Sequence, residues 1–359
     1  MSLTFTVGQN EYIFPCYYVY EPQNLKPESI PTDLCTHIIL IGCVHESSEA
    51  SSPAIVEKPY NCSNVLDKVS NLKQLNPSIK TIISLATNAT AMHQIVKNES
   101  TIDLYVKNAL NIAVSYGFNG IDFDWEYPCK QDKFKFTLLI QKFRFQIQKN
   151  AMDLQLSAAI GAGINIIKDC FDLDGLSKFL DFINVMCYDY NTIYNTYTAY
   201  ASPLYARPEE TGYDALLNSN STIYYLIEQN VPRKKIILGL NAGGHTFQLK
   251  DARKHGFHAP VNGVGYSAGW SLYPQLCKLI QNGGTAVYDE IAEVLYAFYD
   301  DQWANTGDIR SAKVKVEYVK KLGLAGIFTW CLNWDDLDNS CGHDVKFPIH
   351  RTIKENLLE

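Results

Sequence analysis

Phe118-Asn119-Gly120-Ile121-Asp122-Phe123-Asp124-Trp125-Glu126-Tyr127-Pro128 is the stretch on which the reading of this chain turns. Its three acids fall at i, i+2 and i+4, and Phe123, Trp125 and Tyr127 fill the alternate positions. Strand side chains alternate between faces and rise about 3.3 Å per residue, so the carboxyls line up over about 13 Å on one side. The aromatic side requires burial. A surface strand with its acids in water would show the same alternation. Gly120 before the run and Tyr127-Pro128 after it mark a strand that stops just past Glu126. Three carboxyls crowded on an inward face are costly unless they share protons, and proton sharing is a catalytic device.

Outward from this run, short β-branched or aromatic stretches recur at Tyr12–Tyr18, Thr36–Cys43, Lys80–Leu85, Gln155–Ile160, Phe182–Tyr188, Lys235–Leu240 and Ala325–Cys331. With Gly120–Glu126 they make eight predicted strands. Amphipathic segments such as Ile102–Tyr116 and Phe134–Gln148 lie between them. Eight alternations over 359 residues predict a (β/α)8 TIM barrel of the α/β class. A doubly wound sheet competes, but no G-x-G-x-x-G follows a strand. The spacing breaks once, between the seventh and eighth runs. Residues 1–244 and 301–359 are therefore assigned to the barrel, and 245–300 to a small inserted subdomain.

The apolar fraction of 47% and charged fraction of 19% suit a globular protein with a large core. A net charge of −7 without a basic run speaks against nucleic acid as a partner. No apolar stretch is long enough to span a membrane. The ten cysteines contain no C-x-x-C, which argues against zinc. Sequons begin at Asn61, Asn88, Asn98 and Asn220, and together with the cysteines they favour an oxidising, secretory route and an extracellular protein. The first residues lack the charged and apolar regions of a signal peptide, and Met1 to Leu3 fit an expression remnant on a trimmed mature chain.

Two motifs are decoys. Gly265-Tyr266-Ser267-Ala268-Gly269 matches the G-x-S-x-G nucleophile elbow, but that elbow follows an apolar strand. Here it follows Ala259-Pro260-Val261-Asn262-Gly263, which is loop chemistry. The eight histidines show no H-E-x-x-H. Asp122-x-Asp124 lacks the further oxygen ligands and turn glycine of a hard-cation loop. Neither a metal nor another cofactor is expected.

Phe118–Pro128 strongly resembles the fourth-strand signature of glycoside hydrolase family 18, the chitinases and chitinase-like lectins, whose usual form is D-G-x-D-x-D-W-E-Y-P. Other segments line up in order: Cys16-Tyr17-Tyr18 with the first strand, Leu34-Cys35-Thr36-His37 with the second, and Val185-Met186-Cys187-Tyr188-Asp189 with the sixth. Ser202-Pro203-Leu204-Tyr205 resembles the loop after it, and Gly326–Trp330 with Asp335-Asp336 the eighth. The resemblance spans about residues 11–345. It implies that the insertion is a shortened α+β unit walling one side of a substrate cleft. It also implies a monomer acting on chitin or N-acetylglucosamine oligosaccharides with retention, the substrate's 2-acetamido oxygen serving as nucleophile.

Carried onto this chain, the resemblance makes Glu126 the acid and then the base. Asp124 orients the acetamide, and Asp122 shares a proton with Asp124. Tyr188 hydrogen-bonds the acetamide oxygen, Asp189 neighbouring sugar hydroxyls, and Trp330 forms the floor, with Tyr17, Tyr127 and Met186 lining the pocket. Cys16–Cys35 and Cys277–Cys341 match two recurrent family disulfides. Cys43–Cys62 and Cys129–Cys170 are candidate extra bridges whose pairing the sequence leaves open. If Met186 and Tyr188 face the barrel interior, Cys187 faces the helices; Cys331 is likewise expected as a buried free thiol beside inward Trp330.

The departures lie around the acids. Asn119 replaces the first motif Asp. Ser84-Leu85-Ala86-Thr87 stands for the third-strand S-x-G-G and adds bulk near the pocket floor, and Leu40-Ile41-Gly42 stands where an aromatic pair is usual. Asn241-Ala242-Gly243-Gly244-His245 replaces P-x-Y-G-R, which removes a tyrosine ring and an arginine. Asn333 takes the place of an eighth-strand Asp. Intact acids favour a hydrolase, and rebuilt surroundings favour the alternative of a chitinase-like oligosaccharide-binding lectin with weak or no turnover.

Overall fold

The β-branched and aromatic runs form eight strands that close on one another as a parallel barrel. They are β1 (Pro15–Val19), β2 (His37–Ile41), β3 (Lys80–Thr87), β4 (Gly120–Trp125), β5 (Gln155–Gly161), β6 (Phe182–Met186), β7 (Ile236–Asn241) and β8 (Gly326–Trp330). Neighbours run β1-β8-β7-β6-β5-β4-β3-β2 around the closed sheet. Each predicted run falls on one barrel strand. The coordinates are a computed structural model describing residues 12–21, 24–47, 52–55, 61–87 and 89–359.

Alternation sorts each strand into an inner and an outer set. Tyr17, Ile39, Ile82, Ala159, Phe182, Met186, Ile237 and Phe328 pack as the apolar filling of the barrel. Gly239 makes room for it: a Cβ there would lie 2.6 Å from the Phe328 ring. The outer set joins the helices in one continuous core. Helix Glu99–Tyr116 illustrates the local logic. The Asn98 side chain caps its first turn by accepting from Thr101 N–H, and Gly117 ends it at φ 73°. Between the caps, Ile102, Tyr105, Val106, Ala109, Leu110 and Ala113 repeat at helical spacing and are buried.

Between β7 and β8 the chain builds a second, antiparallel sheet from Gly243–Leu249, Val261–Val264, Trp270–Leu272, Thr285–Asp289, Val294–Tyr299 and Gln302–Thr306. Its strands Gly243–Leu249 and Val261–Val264 run beyond what the loop-like composition of 259–263 suggests, because Phe247 and Gln248 pair with Val264 and Gly263. Ser267 lies in a short 3-10 turn, not at the head of a helix. Helix Tyr273–Gln281 covers the sheet, and Trp303, Phe247, Tyr296 and Tyr200 form its own small core. No helix among the described residues is long and apolar enough to cross a membrane.

Four disulfides join Cys16 to Cys35, Cys43 to Cys62, Cys129 to Cys170 and Cys277 to Cys341. Cys187 and Cys331 are buried free thiols. Cys187 packs outward among the helices, whereas Cys331 joins the barrel interior, because β8 ends at Trp330 and strand alternation no longer governs the residue that leads into the turn Leu332–Trp334. Burial pushes the Cys187 thiol up to about 11, and Cys331 is pushed up by the same cause. Since the thiolate is the nucleophile, neither should take up iodoacetamide in the native protein. Intact mass after alkylation should show no adduct natively and two in denaturant; native labelling of either would contradict the packing.

Asn61 and Asn98 are exposed, while Asn220 is half-buried and accepts a hydrogen bond from the Tyr318 hydroxyl at 3.0 Å. Asn88 and Met1 to Leu3 lie outside the described residues.

Candidate active site

Register places the first acid. Asp122 on β4 pairs with Ser84 on β3 and Ser157 on β5, so all three side chains point into the barrel at one level. Asp122 Oδ2 accepts from the Tyr17 hydroxyl and from Ser84 Oγ, both at 2.9 Å. Its Oδ1 accepts from Ser157 Oγ at 2.6 Å and from Asn184 Nδ2 at 3.5 Å. Asn184 also donates to the Tyr17 oxygen at 3.1 Å. Burial pushes the Asp122 pKa up while these donors oppose it.

Asp124 lies one inward step further along β4, and its pKa is driven well up by burial, then by Glu126, then by Asp122. Glu126 follows just past the strand. As a residue it is solvent-exposed, yet the protein packed around its carboxyl pushes its pKa up, with Asp189 adding to the rise and a Tyr127 hydrogen bond opposing it. Of the two, Asp124 holds its proton the more firmly, because ionised Glu126 beside it disfavours a second negative charge. The aromatic face of β4 is anchored edge-on to helix Lys133–Lys149, Phe123 against Phe143 at 5.0 Å and Trp125 against Phe136 at 5.6 Å. That packing fixes which way the acids point.

The strand ends above the acids form a cavity of about 280 Å³. Tyr17, Asp124, Glu126, Tyr127, Met186, Tyr188, Asp189 and Trp330 all line it, and Asp122 lies beneath. Tyr188 is buried against Phe328 at 6.0 Å. The half-buried Trp330 ring meets Tyr17 at 5.5 Å. Ala159, Ala162 and Ile166 form an apolar wall, and Asn241, Trp270 and Trp334 complete the lining. Sequence reasoning placed Asn241 in the rebuilt seventh-strand segment and named none of the other five as lining. It also missed the donors Ser84, Ser157 and Asn184, whose only signal was a polar residue at an inward strand position.

Two of the rebuilt positions are filled from elsewhere. A Cβ on Gly243 would lie 2.7 Å from the Trp334 ring, so Trp334 occupies the space a larger residue would need. Trp334 meets Trp330 at 6.1 Å and Trp270 at 6.4 Å, which continues the aromatic surface outward. The ring absent from position 243 is thus replaced rather than simply lost. His245 carries its Nε2 to 2.9 Å from Asp189 Oδ1, held by cross-strand pairing and ring contact with Trp270 at 4.8 Å. An imidazole therefore stands beside Asp189 although no guanidinium does.

The remaining departures are structural. Asn119 Oδ1 accepts from Thr81 N–H at 3.0 Å and is remote from the acids. Asn333 both donates to Val19 O at 2.9 Å and accepts from Val19 N–H at 3.1 Å, which an aspartate could not do. Leu40 packs outward and Ile41 inward, and Ala86 packs partly buried against the interior. Asp335 and Asp336 face away from the cavity: Asp335 holds His350 Nδ1 at 2.7 Å, and Asp336 accepts from the Cys341 N–H at 2.8 Å.

Comparison with known proteins adds independent observations. The model of the family described as Glycosyl hydrolases family 18 matches residues 13–335. Chitotriosidase-1 of Mus musculus is 29% identical over 95% of this chain and 75% of its own length. Among solved structures, the Ostrinia furnacalis Group IV chitinase superposes with a TM-score of 0.90 at 25% identity, covering 97% of this chain and 100% of that one. Human YKL-39, described as a pseudo-chitinase with retained chitooligosaccharide binding, superposes with a TM-score of 0.91 at 25% identity over the same shares.

Proposed function

The chain belongs to glycosyl hydrolase family 18, and from that premise we propose that it is a secreted chitinase that hydrolyses β-1,4-linked N-acetylglucosamine chains with retention. The observation that carries this reading is that Asp124 and Glu126, both with pKa raised by burial, line one cavity together with Tyr188 and Trp330. Glycosidases work through carboxyls tuned apart by their surroundings. The barrel places this pair at the C-terminal strand ends, where such enzymes act.

In the proposed reaction the sugar over Trp330 is bound with its 2-acetamido group turned under the ring. The acetamide oxygen attacks the anomeric carbon as the glycosidic C–O bond breaks, and Glu126 gives its proton to the leaving oxygen. Tyr188 donates its hydroxyl to the acetamide oxygen, and Asp124 accepts the acetamide N–H and balances the positive charge that develops. Asp122 shares a proton with Asp124 from below, and its four donors keep it poised as the acceptor in that exchange. Water then adds to the anomeric carbon and Glu126 takes its proton back, which returns the β-anomer. Asp189, held by His245, binds neighbouring hydroxyls, and Tyr17, Tyr127 and Met186 shape the pocket around the reacting sugar. The insertion, residues 245–300, serves as the cleft wall through Trp270. Four disulfides support the secretory route. We take the protein to act as a monomer.

The second reading, an oligosaccharide-binding lectin, is favoured by the likeness to a pseudo-chitinase and by the rebuilt positions beside Asp189. One assay separates the two. An N-acetylglucosamine hexamer and its fully deacetylated counterpart are each incubated with the protein, and new reducing ends are counted. Cleavage of the first alone, blocked by a thiazoline that mimics the oxazoline, supports the enzyme. Tight binding of the hexamer without reducing ends at any pH supports the lectin, and cleavage of the deacetylated chain excludes substrate assistance.

Both readings share the tryptophan surface. If a ring under a sugar face contributes as much as an aromatic pair, about 0.5–1.5 kcal/mol, Trp334→Ala should weaken hexamer binding by up to roughly tenfold while leaving a dimer little changed. Calorimetry on both ligands checks this. Equal weakening of dimer and hexamer would place Trp334 at the reacting sugar instead.

A further inference from the structure

The segment after β6 is held in an unusual shape. Cys187 N–H donates to Val185 O and Tyr188 N–H to Met186 O, both at 2.7 Å, so the strand end winds through two successive three-residue turns. Asp189 follows at φ 55°, in the left-handed region that aspartate tolerates better than most residues but that still costs energy. Tyr188 and Asp189 both line the cavity. Something behind them must hold them there.

What lies behind is the loop 198–204, laced to the turn by three contacts. Tyr190 N–H donates to Ala201 O at 3.1 Å, Asn191 Nδ2 to Tyr200 O at 3.1 Å, and Ser202 Oγ to Cys187 O at 2.6 Å. Ser202 is in turn gripped by Lys315, whose Nζ donates to Ser202 O at 2.8 Å and to Ser202 Oγ at 2.6 Å. Lys315 is 2% exposed, on helix Ile309–Leu322. Burial lowers its pKa to about 8, a fall that Cys187 and Asp308 oppose. A buried ammonium is costly and is rare without a specific partner. Here its donors converge on one residue, whose hydroxyl hydrogen is thereby directed at the carbonyl that precedes Tyr188.

We propose that Lys315 is a positioning residue for the reaction, acting through Ser202 to fix the Cys187 carbonyl and hence the placement of Tyr188 and Asp189. One N–H of the ammonium takes a lone pair of Ser202 Oγ, which turns the hydroxyl hydrogen away from Lys315 and toward the Cys187 carbonyl. Without it, Ser202 is free to rotate and the left-handed turn at Asp189 loses its rear support. The inference rests on the proposed roles of Tyr188 and Asp189 at the acetamide and the sugar hydroxyls.

The test is a set of variants in the full chain: Lys315→Met, Ser202→Ala, the double variant, Ser202→Thr, and Val316→Ala as a control. Val316 is buried on the same helix and makes no part of the relay. Turnover of the N-acetylglucosamine hexamer and its binding are measured on the folded fraction, with melting temperature alongside. Lys315→Met and Ser202→Ala should each lower kcat at least tenfold, and the double variant should be no worse than the poorer single. Ser202→Thr, which keeps the hydroxyl, should recover most of the rate, and Val316→Ala should lose melting temperature but not kcat. Unchanged kcat in Ser202→Ala, or losses in the two singles that simply multiply, would overturn the relay. Should Lys315→Met fail to fold, the Ser202→Ala and Ser202→Thr pair decides alone. If the parent binds but does not cleave, the same comparisons are made on binding of the hexamer. A parent that neither binds nor cleaves overturns the functional reading and this inference together, whereas an active parent with unaffected variants overturns only the inference.

Discussion

Glu126→Gln is expected to bind N-acetylglucosamine oligomers as the parent protein does and to turn them over about a thousandfold more slowly. The amide keeps the shape of the carboxyl and can still accept the hydrogen bond that Tyr127 gives Glu126. What it cannot do is release a proton to the leaving oxygen or take one from water. General acid–base assistance typically contributes about 10²–10⁴-fold, and a group used only in the transition state shows its loss in kcat and not in affinity. The position of Glu126, exposed to the cavity yet crowded enough for its proton to be held firmly, is what suits it to donate near neutral pH. Calorimetry gives the affinity and reducing-end counts the rate. Parental turnover in the variant would mean that the acid lies elsewhere; a large loss of affinity would mean that the ionised carboxylate binds the sugar directly.

The barrel was legible because its signals are local and repeated. Eight short β-branched runs each carry their own alternation, and every one became a barrel strand. The carboxyl trio was legible for the same reason, since one strand places Asp122, Asp124 and Glu126 without reference to any other. The partners of Asp122 were not. Ser84, Ser157 and Asn184 reach it only through the register of β3, β5 and β6, and a single sequence does not encode register between strands so far apart. Replacement of the lost ring was hidden similarly. Gly243 and Trp334 are about 90 residues apart, and each looks like a defect or an ordinary aromatic until the two are seen to share one volume. The turn of Cys331 into the interior shows the limit of alternation itself, which stops applying once a strand ends.

Asp124→Asn should be nearly as damaging, by a different route. In the proposed reaction Asp124 accepts the acetamide N–H and balances the positive charge of the cyclised intermediate. Asparagine can turn its oxygen to that N–H but brings no charge, so the ground-state complex survives while the transition state loses its electrostatic partner. Removing one such stabilising group commonly costs about 10²–10³ in kcat. The pH profile supplies a second reading. Ionised Glu126 makes the proton on Asp124 harder to remove, since a like charge disfavours a second ionisation, while burial and Asp189 hold the proton on Glu126. Asp124, pushed further up, is still protonated as Glu126 titrates, so an amide at 124 leaves the charge beside Glu126 unchanged. The alkaline limb of kcat/KM should therefore stay in place in Asp124→Asn although kcat falls, and in Glu126→Gln that limb should disappear. A limb shifted toward acid in Asp124→Asn would mean that Asp124 ionises before Glu126 and that its negative charge holds the Glu126 proton.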